Sequence, residues 1–165
     1  MRRILAPILL LTLLFPALAF GQTRYSLVER DGIHYKKFSD VPFTGKVDHW
    51  IRGTLKKGTL KGGLWDGPYA VYHPNGQLTV KGTYKDGVRE GNWVNYYNDG
   101  DLGGKQSYKN GKKHGPWVSY RGNGQLWDKG TYKNGKKDGP WVRYYEDGTV
   151  NKYVTGTWKD GKKVK

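Results

Sequence analysis

A period of 24 residues governs most of this chain. Gly67, Gly91, Gly115 and Gly139 stand at that spacing, as do Gly76, Gly100, Gly124 and Gly148. Gly63, Gly87, Gly111 and Gly135 form a third series, which Gly161 closes after a two-residue insertion. Tyr69, Trp93, Trp117 and Trp141 keep the same phase, followed by Tyr72, Tyr96, Tyr120 and Tyr144, and then by Tyr84, Tyr108, Tyr132 and Trp158. Self-similarity at a fixed interval marks an array in which each unit buries its apolar surface only against its neighbours. Four units follow, at 67–90, 91–114, 115–138 and 139–165, preceded by a degenerate first copy at 43–66 and a lead-in hairpin at 22–42.

Each unit reads as a hairpin. Residues 91–97 are aromatic and strand-favouring, 98–100 make a turn, Leu102 to Lys109 form a second strand, and Asn110-Gly111 closes it. Asn-Gly and Asp-Gly suit two-residue hairpin turns because both central positions need positive φ. The pair recurs at Asp86-Gly87, Asn134-Gly135 and Asp160-Gly161, and the other turn uses Asn75-Gly76, Asp99-Gly100, Asn123-Gly124 and Asp147-Gly148. A turn about every 12 residues predicts an antiparallel meander of about ten strands, roughly 50 Å long at the usual strand spacing. Alternation puts Val94 with Tyr96 and Val118 with Tyr120 on one face, and Trp93, Trp117 and Trp141 on the other beside Asn95, Ser119 and Arg143. Leu126, Asp128, Gly130 and Tyr132 then share a face, and Trp127 with Lys129 turns away from it. Gly82 and Gly130 should leave room for an aromatic ring, a pattern that Gln106 interrupts. The two-residue insertion is even, so later side chains keep their faces.

Composition narrows the rest. Cysteine is absent, which excludes disulfide scaffolds, Cys-ligated zinc and thiol nucleophiles. Twenty-five glycines and 13 tyrosines in 165 residues disfavour a large helical domain. Arg2 and Arg3 precede an uncharged stretch from Ile4 to Phe20 with small residues at Ala17 and Ala19. That is the layout of a secretory signal peptide over 1–21, cleaved near 19–21. The stretch is interrupted by Pro7 and Pro16 and is too short for a stable transmembrane anchor. Removal takes two cations and no acid from a chain of net charge +15, leaving +13 for a secreted or periplasmic protein.

The unit Tyr-x-x-Asn-Gly-x-Leu-x-x-x-Gly-x-Tyr-Lys-x-Gly-x-x-x-Gly-x-Trp, seen from Tyr72 through Trp93 and again from Tyr120 through Trp141, resembles the bacterial MORN-repeat variant. The lead-in from Leu27 to Phe38 and from Val41 to Val47 is similar to the segment common in that family. The resemblance covers nearly all of residues 25–165. It implies an all-β, elongated single-layer antiparallel meander of MORN-like β-hairpin repeats. It also implies non-catalytic contact with proteins or phospholipids, and the antitoxin label that many such proteins carry.

No metal-ligand spacing links His34, His49, His73 and His114, and no cofactor is expected. Glu90 and Asp138 occupy equivalent positions two repeats apart, roughly 19 Å in a regular sheet, too far for a glycosidase pair. Asp128 with Asp147 is an arbitrary alternative, and Ser119 has no evident His partner. A wall-active hydrolase is therefore the weakest function; an antitoxin or immunity-type inhibitor of an acidic toxin is another. The basic residues carry more. Lys112-Lys113, Lys136-Lys137 and Lys162-Lys163, with Lys56-Lys57, recur beside hairpin turns, and Lys85, Lys109, Lys133 and Lys159 precede them. They are expected as a ladder along one edge, where lysine either protects the sheet or attracts anions. Trp127 has no aromatic counterpart at Thr79 or Gly103 and is a candidate exposed contact. Gly87, Gly111, Gly135, Trp93, Trp117, Trp141, Tyr84, Tyr108 and Tyr132 define the repeat structurally, with the tryptophan row expected mainly as core. The leading expectation is a secreted scaffold binding a protein or anionic envelope material, either lipid headgroups or polysaccharide, with no specific nucleic acid.

Overall fold

The structure, a computed structural model, describes residues 26–51 and 53–164. The expected signal peptide lies outside the described residues. Among those described, the ordered elements are all strands. A ribbon of β1 (Leu27–Arg30) and β2 (Ile33–Lys36) precedes β3 (Gly45–Ile51), β4 (Thr54–Lys61), β5 (Leu64–Trp65) and β6 (Gly67–Tyr72). Then come β7 (Leu78–Lys85), β8 (Val88–Tyr96), β9 (Leu102–Lys109), β10 (Lys112–Tyr120) and β11 (Leu126–Lys133). The chain closes with β12 (Lys136–Lys137), β13 (Gly139–Arg143), β14 (Gly156–Lys159) and β15 (Lys162–Lys163). From β3 to β15 they form one antiparallel meander of 13 strands, with the short β5 and β12 off the main path. The fold is the single-layer array that the repeat predicts; the strand count exceeds ten because the first hairpin is fully formed and short segments split from their parents.

The two recurrent Asx-Gly turns are different structures. Asp86, Asn110, Asn134 and Asp160 have φ near 50°, each followed by a glycine at +75° to +85°, as a type I′ turn requires. Each of these turns also ties to the preceding unit: the amides of Gly87, Gly111, Gly135 and Gly161 donate to the carbonyls of Trp65, Arg89, Lys113 and Lys137. At the opposite edge only the glycine has positive φ. There the Asn75, Asp99, Asn123 and Asp147 side chains accept from the amide two residues on, at 2.8 to 3.1 Å, which is an Asx turn.

The core is a row of aromatic rings laid on bare backbone. Trp93 and Trp141 are buried, and each indole donates to a carbonyl, of Thr83 and Thr131 respectively. A Cβ at Gly82 would lie 2.2 Å from the Trp93 ring, and one at Gly130 would lie 2.3 Å from Trp141. Edge-to-face contacts run His34–Trp65–Tyr69–Tyr84–Trp93–Tyr108, and again Trp117–Tyr132–Trp141. The first end is closed by Phe43, Val47, Leu60 and Trp65, with the β1–β2 ribbon docked through His34, whose amide donates to the Gly63 carbonyl.

One part of the alternation reading is corrected. Between Ser119 and Tyr120 the register jumps from Asp128 to Leu126, leaving Trp127 unpaired in a bulge. The same shift skips Thr79 and Gly103. An extra residue reverses the parity beyond it, so Leu126 pairs with Tyr120 and leaves the face of Asp128. Trp127 does not turn away from Asp128; it comes within reach of Arg143, the same side chain that Asp128 binds.

Gly82→Ala and Gly130→Ala should each destabilise the fold by about 1–3 kcal/mol through overpacking against an indole. Gly122→Ala, where a Cβ meets open space, should stay within about 0.5 kcal/mol of wild type. Urea unfolding of the three variants checks this ordering.

Candidate functional site

The turn-edge lysine pairs do not act as pairs. Successive strand residues point to opposite faces, so in the pairs 112–113 and 136–137 one lysine projects outward and the other folds onto the tryptophan face. Lys112 and Lys136 are exposed. Lys113 lies 4.0 Å above the Trp117 ring and 5.0 Å from Tyr132. Lys137 sits 4.2 Å from Trp141 and 4.5 Å from Trp158. Arg89 takes the equivalent place between Trp93 and Tyr108, at 4.2 and 5.2 Å. Such contacts are worth about 0.5–2 kcal/mol as the site loses water. Burial lowers the pKa of both lysines; for Lys137 the Arg143 charge adds to it, and for both the nearby Asp128 opposes it. In the last pair Lys162 is exposed, while Lys163 donates to the carbonyls of Lys152 and Tyr153. Lys85, Lys109, Lys133 and Lys159 are all exposed at the same edge, Lys159 being paired with Asp138 at 3.4 Å.

Trp127 is not part of that edge. It stands near the start of β11, and Lys133 ends the strand, so six residues, roughly 20 Å of strand, separate them. Trp127 is 42 % exposed, and its ring has the guanidinium carbons of Arg121 and Arg143 at 5.5 and 5.4 Å. A cavity of about 490 Å³ beside it is lined by Tyr97, Arg121, Gly122, Asn123, Trp127 and Glu146.

Sequence reasoning missed a buried charge network at Asp128. Asp128 is 4 % exposed and accepts from Ser119 Oγ at 2.5 Å, Trp117 Nε1 at 2.8 Å and Arg143 Nη2 at 2.6 Å. Burial pushes its pKa up, but the three hydrogen bonds and the Arg143 charge outweigh that and hold it below the usual carboxylate range. The origin is Gln106. Gln106 and Gly130 flank Trp117 on the two neighbouring strands, and Gln106 stands where Gly82 and Gly130 underlie the other two indoles. Trp117 is only partly buried, and its N–H goes to Asp128 instead of to a backbone carbonyl. The signal was present in the departure of Gln106 from the glycine column.

The other candidate acids are committed to structure. Glu90 accepts from the Asn110 amide at 2.7 Å, Asp138 pairs with Lys159, and Asp147 binds Thr149. His34 is buried against Trp65. Among the described residues no group of three His, Cys, Asp or Glu side chains is placed to hold a metal ion.

A second lysine series was also overlooked. On the face opposite the tryptophans, Lys57 of the degenerate copy and Lys81, Lys105 and Lys129 of the first three units are exposed at the 24-residue spacing. Lys57 is therefore central in β4 and not beside a turn, as its pairing with Lys56 had suggested. The register joins the four across the sheet: Lys57 opposes Ala70, Ala70 opposes Lys81, and Val94, Val118 and Val142 alternate with the remaining lysines.

The geometry defines the class: a tandem array of β-hairpins in one open layer, with regularly repeated cations on an edge and on both faces. Segments 65–86, 89–110, 113–134 and 137–157 match the MORN repeat variant, together just over half of the chain, and the protein belongs to that family. No curated protein is significantly similar to it. Repeats of this family are commonly binding or scaffold elements and are generally non-catalytic.

The sign of the Asp128 effect is fixed by its depressed pKa. Stability from this group is present above the unfolded carboxylate value of about 3.9 and is lost as pH falls through the lower folded value. Asp128→Asn should cost about 3 kcal/mol near neutrality by leaving Arg143 without its charge partner. The gap between variant and wild type should close in acid, below about pH 4, as read from urea midpoints across pH.

Proposed function

We propose that this chain is an exported, non-catalytic scaffold that holds an anionic partner against its lysine edge. The partner is an acidic protein or anionic envelope material, either lipid headgroups or polysaccharide. The carrying observation is that Lys112, Lys136 and Lys162 recur at equivalent turn positions, exposed, each flanked by the lysine that precedes its turn. The opposite edge presents Asp99, Asp101, Glu146 and Asp147 beside Arg121, whereas at the turn edge the lysines outnumber Asp66, Asp86, Glu90, Asp138 and Asp160, so the slab is electrically polarised across its width. Like charges in a row attract an anionic surface over a range set by the Debye length, about 8 Å at physiological salt. The hydrophobic leader supports export. Trp127 with Arg121 and Arg143 offers a separate short-range contact at the far edge.

The edge is tested with Lys112→Glu, Lys136→Glu and Lys162→Glu combined, because reversing Lys113 or Lys137 would strike the aromatic stack instead. Retention on anionic liposomes or envelope fractions should fall about a hundredfold, at about 1 kcal/mol for each lysine near an anionic surface. Wild-type retention should weaken with salt. Unchanged retention in the triple variant would reject the lysine edge.

A further inference from the structure

We propose that the face opposite the tryptophans docks an extended acidic peptide in polyproline II conformation, laid across the strands with a carboxylate at every third residue. The inference rests on the binding reading above and places a partner of defined chemistry on a different surface.

Three observations carry it. First, the lysine ladder has a fixed pitch. One lysine per two strands at about 4.8 Å gives a step of about 9.6 Å. A polyproline II helix repeats every three residues at about 3.1 Å each, a step of about 9.3 Å, and presents every third side chain on one side. The match keeps several carboxylates in register with successive lysines. An α-helix rises about 1.5 Å per residue, so its nearest whole heptad steps about 10.5 Å and drifts out of phase sooner.

Second, the ladder is unspent. Lys81, Lys105 and Lys129 have no ion pair, hydrogen bond or ring contact among the described residues. Lys57, at the first end, shows what the site accepts: Asp48, its direct cross-strand neighbour, lies 3.5 Å from its ammonium. The chain therefore supplies one carboxylate to the ladder and leaves three rungs open.

Third, the ground between the lysines is apolar and shallow. A groove of about 520 Å³ passes over Pro68, Ala70 and Val94, and one of about 390 Å³ over Val118, Pro140 and Val142. Proline rings and methyl groups fit such grooves, with Thr83 and Asn92 in the first and Thr131 in the second as their uncharged polar margin. The ladder strands β6 to β11 are each paired on both sides, so a partner cannot add as a further strand. It must bring a backbone that needs no sheet hydrogen bonds, and polyproline II has none.

The test uses the full processed chain and a synthetic (Glu-Pro-Pro) repeat peptide long enough to span the ladder from Lys57 to Lys129. A peptide of identical composition with its glutamates gathered at one end is the control. The periodic peptide should bind about threefold to a hundredfold more tightly, since three exposed charge pairs at a few tenths to one kcal/mol each span that range. Lys81→Glu, Lys105→Glu and Lys129→Glu combined should abolish the difference, and the glutamine versions should reduce it. The turn-edge triple variant should preserve it. Urea midpoints establish that the variants are folded. Equal binding of the two peptides overturns the inference, as does loss of binding in the turn-edge variant alone. Tighter binding of polygalacturonate to the same ladder, lost in the same variant, also overturns it in favour of an acidic glycan. If the peptide fails while liposome or envelope retention still depends on the turn edge, this inference falls and the scaffold reading stands.

Discussion

An indole ring resting on a glycine is the contact from which the rest of this molecule is built. A single-layer sheet has no second layer to bury its apolar face. The usual solution, aliphatic side chains from two layers interlocking, is closed to it. Here the flat rings of Trp93 and Trp141 lie directly on the backbone at Gly82 and Gly130, close enough that a methyl group would collide. Tyrosines meet the rings edge-on, and Arg89 and Lys137 cap them. Ring, backbone and cation together make a core one side chain deep. Repetition is then a physical need, because each ring is sealed only by the hairpins on either side of it.

The third indole shows what happens when the rule is broken. Gln106 occupies a glycine position, Trp117 is less deeply buried, and its N–H must find another acceptor. Asp128 supplies it, which brings a carboxylate into the layer and with it Ser119 and Arg143 to satisfy its remaining lone pairs. A buried carboxylate is costly unless fully partnered, and here it is. The aromatic contacts divide into two runs at this point. Trp117 and Tyr132 are nevertheless continuous with Trp141, so the polar network bridges the units and does not separate them.

Much of this architecture could be read from residues alone. The positive-φ turns, the glycines beneath the indoles and the phase of the repeat all follow from local chemistry: a Cβ is allowed or it is not. Trp158 reaches Lys137 after the two-residue insertion, as even register demands. What could not be read was parity. The bulges at Thr79, Gly103 and Trp127 insert one residue into the alternation, and a bulge has no signature here beyond a residue that fits no column. The split of each turn lysine pair followed from alternation already noted for neighbouring strands. It was obscured because adjacent lysines look equivalent in a sequence. The network at Asp128 depends on cross-strand neighbours 9 to 15 residues away, and only a register places those together.

The two-strand unit also explains how a chain of this charge tolerates so regular a distribution. Like charges on adjacent strands would sit about 5 Å apart and oppose the sheet. A hairpin repeat places an apolar residue on every intervening strand, so Lys81, Lys105 and Lys129 are separated by Val94 and Val118. Their spacing of about 9.6 Å exceeds the Debye length at physiological salt, and mutual repulsion is largely screened. The same screening does not protect them from a ligand whose own charges arrive at contact distance. A row that is nearly neutral in cost to its own fold is therefore fully available to a partner of the same pitch. That asymmetry, weak among the lysines and strong toward a matching polyanion, is a property of hairpin geometry and would be lost in any repeat with one strand per unit.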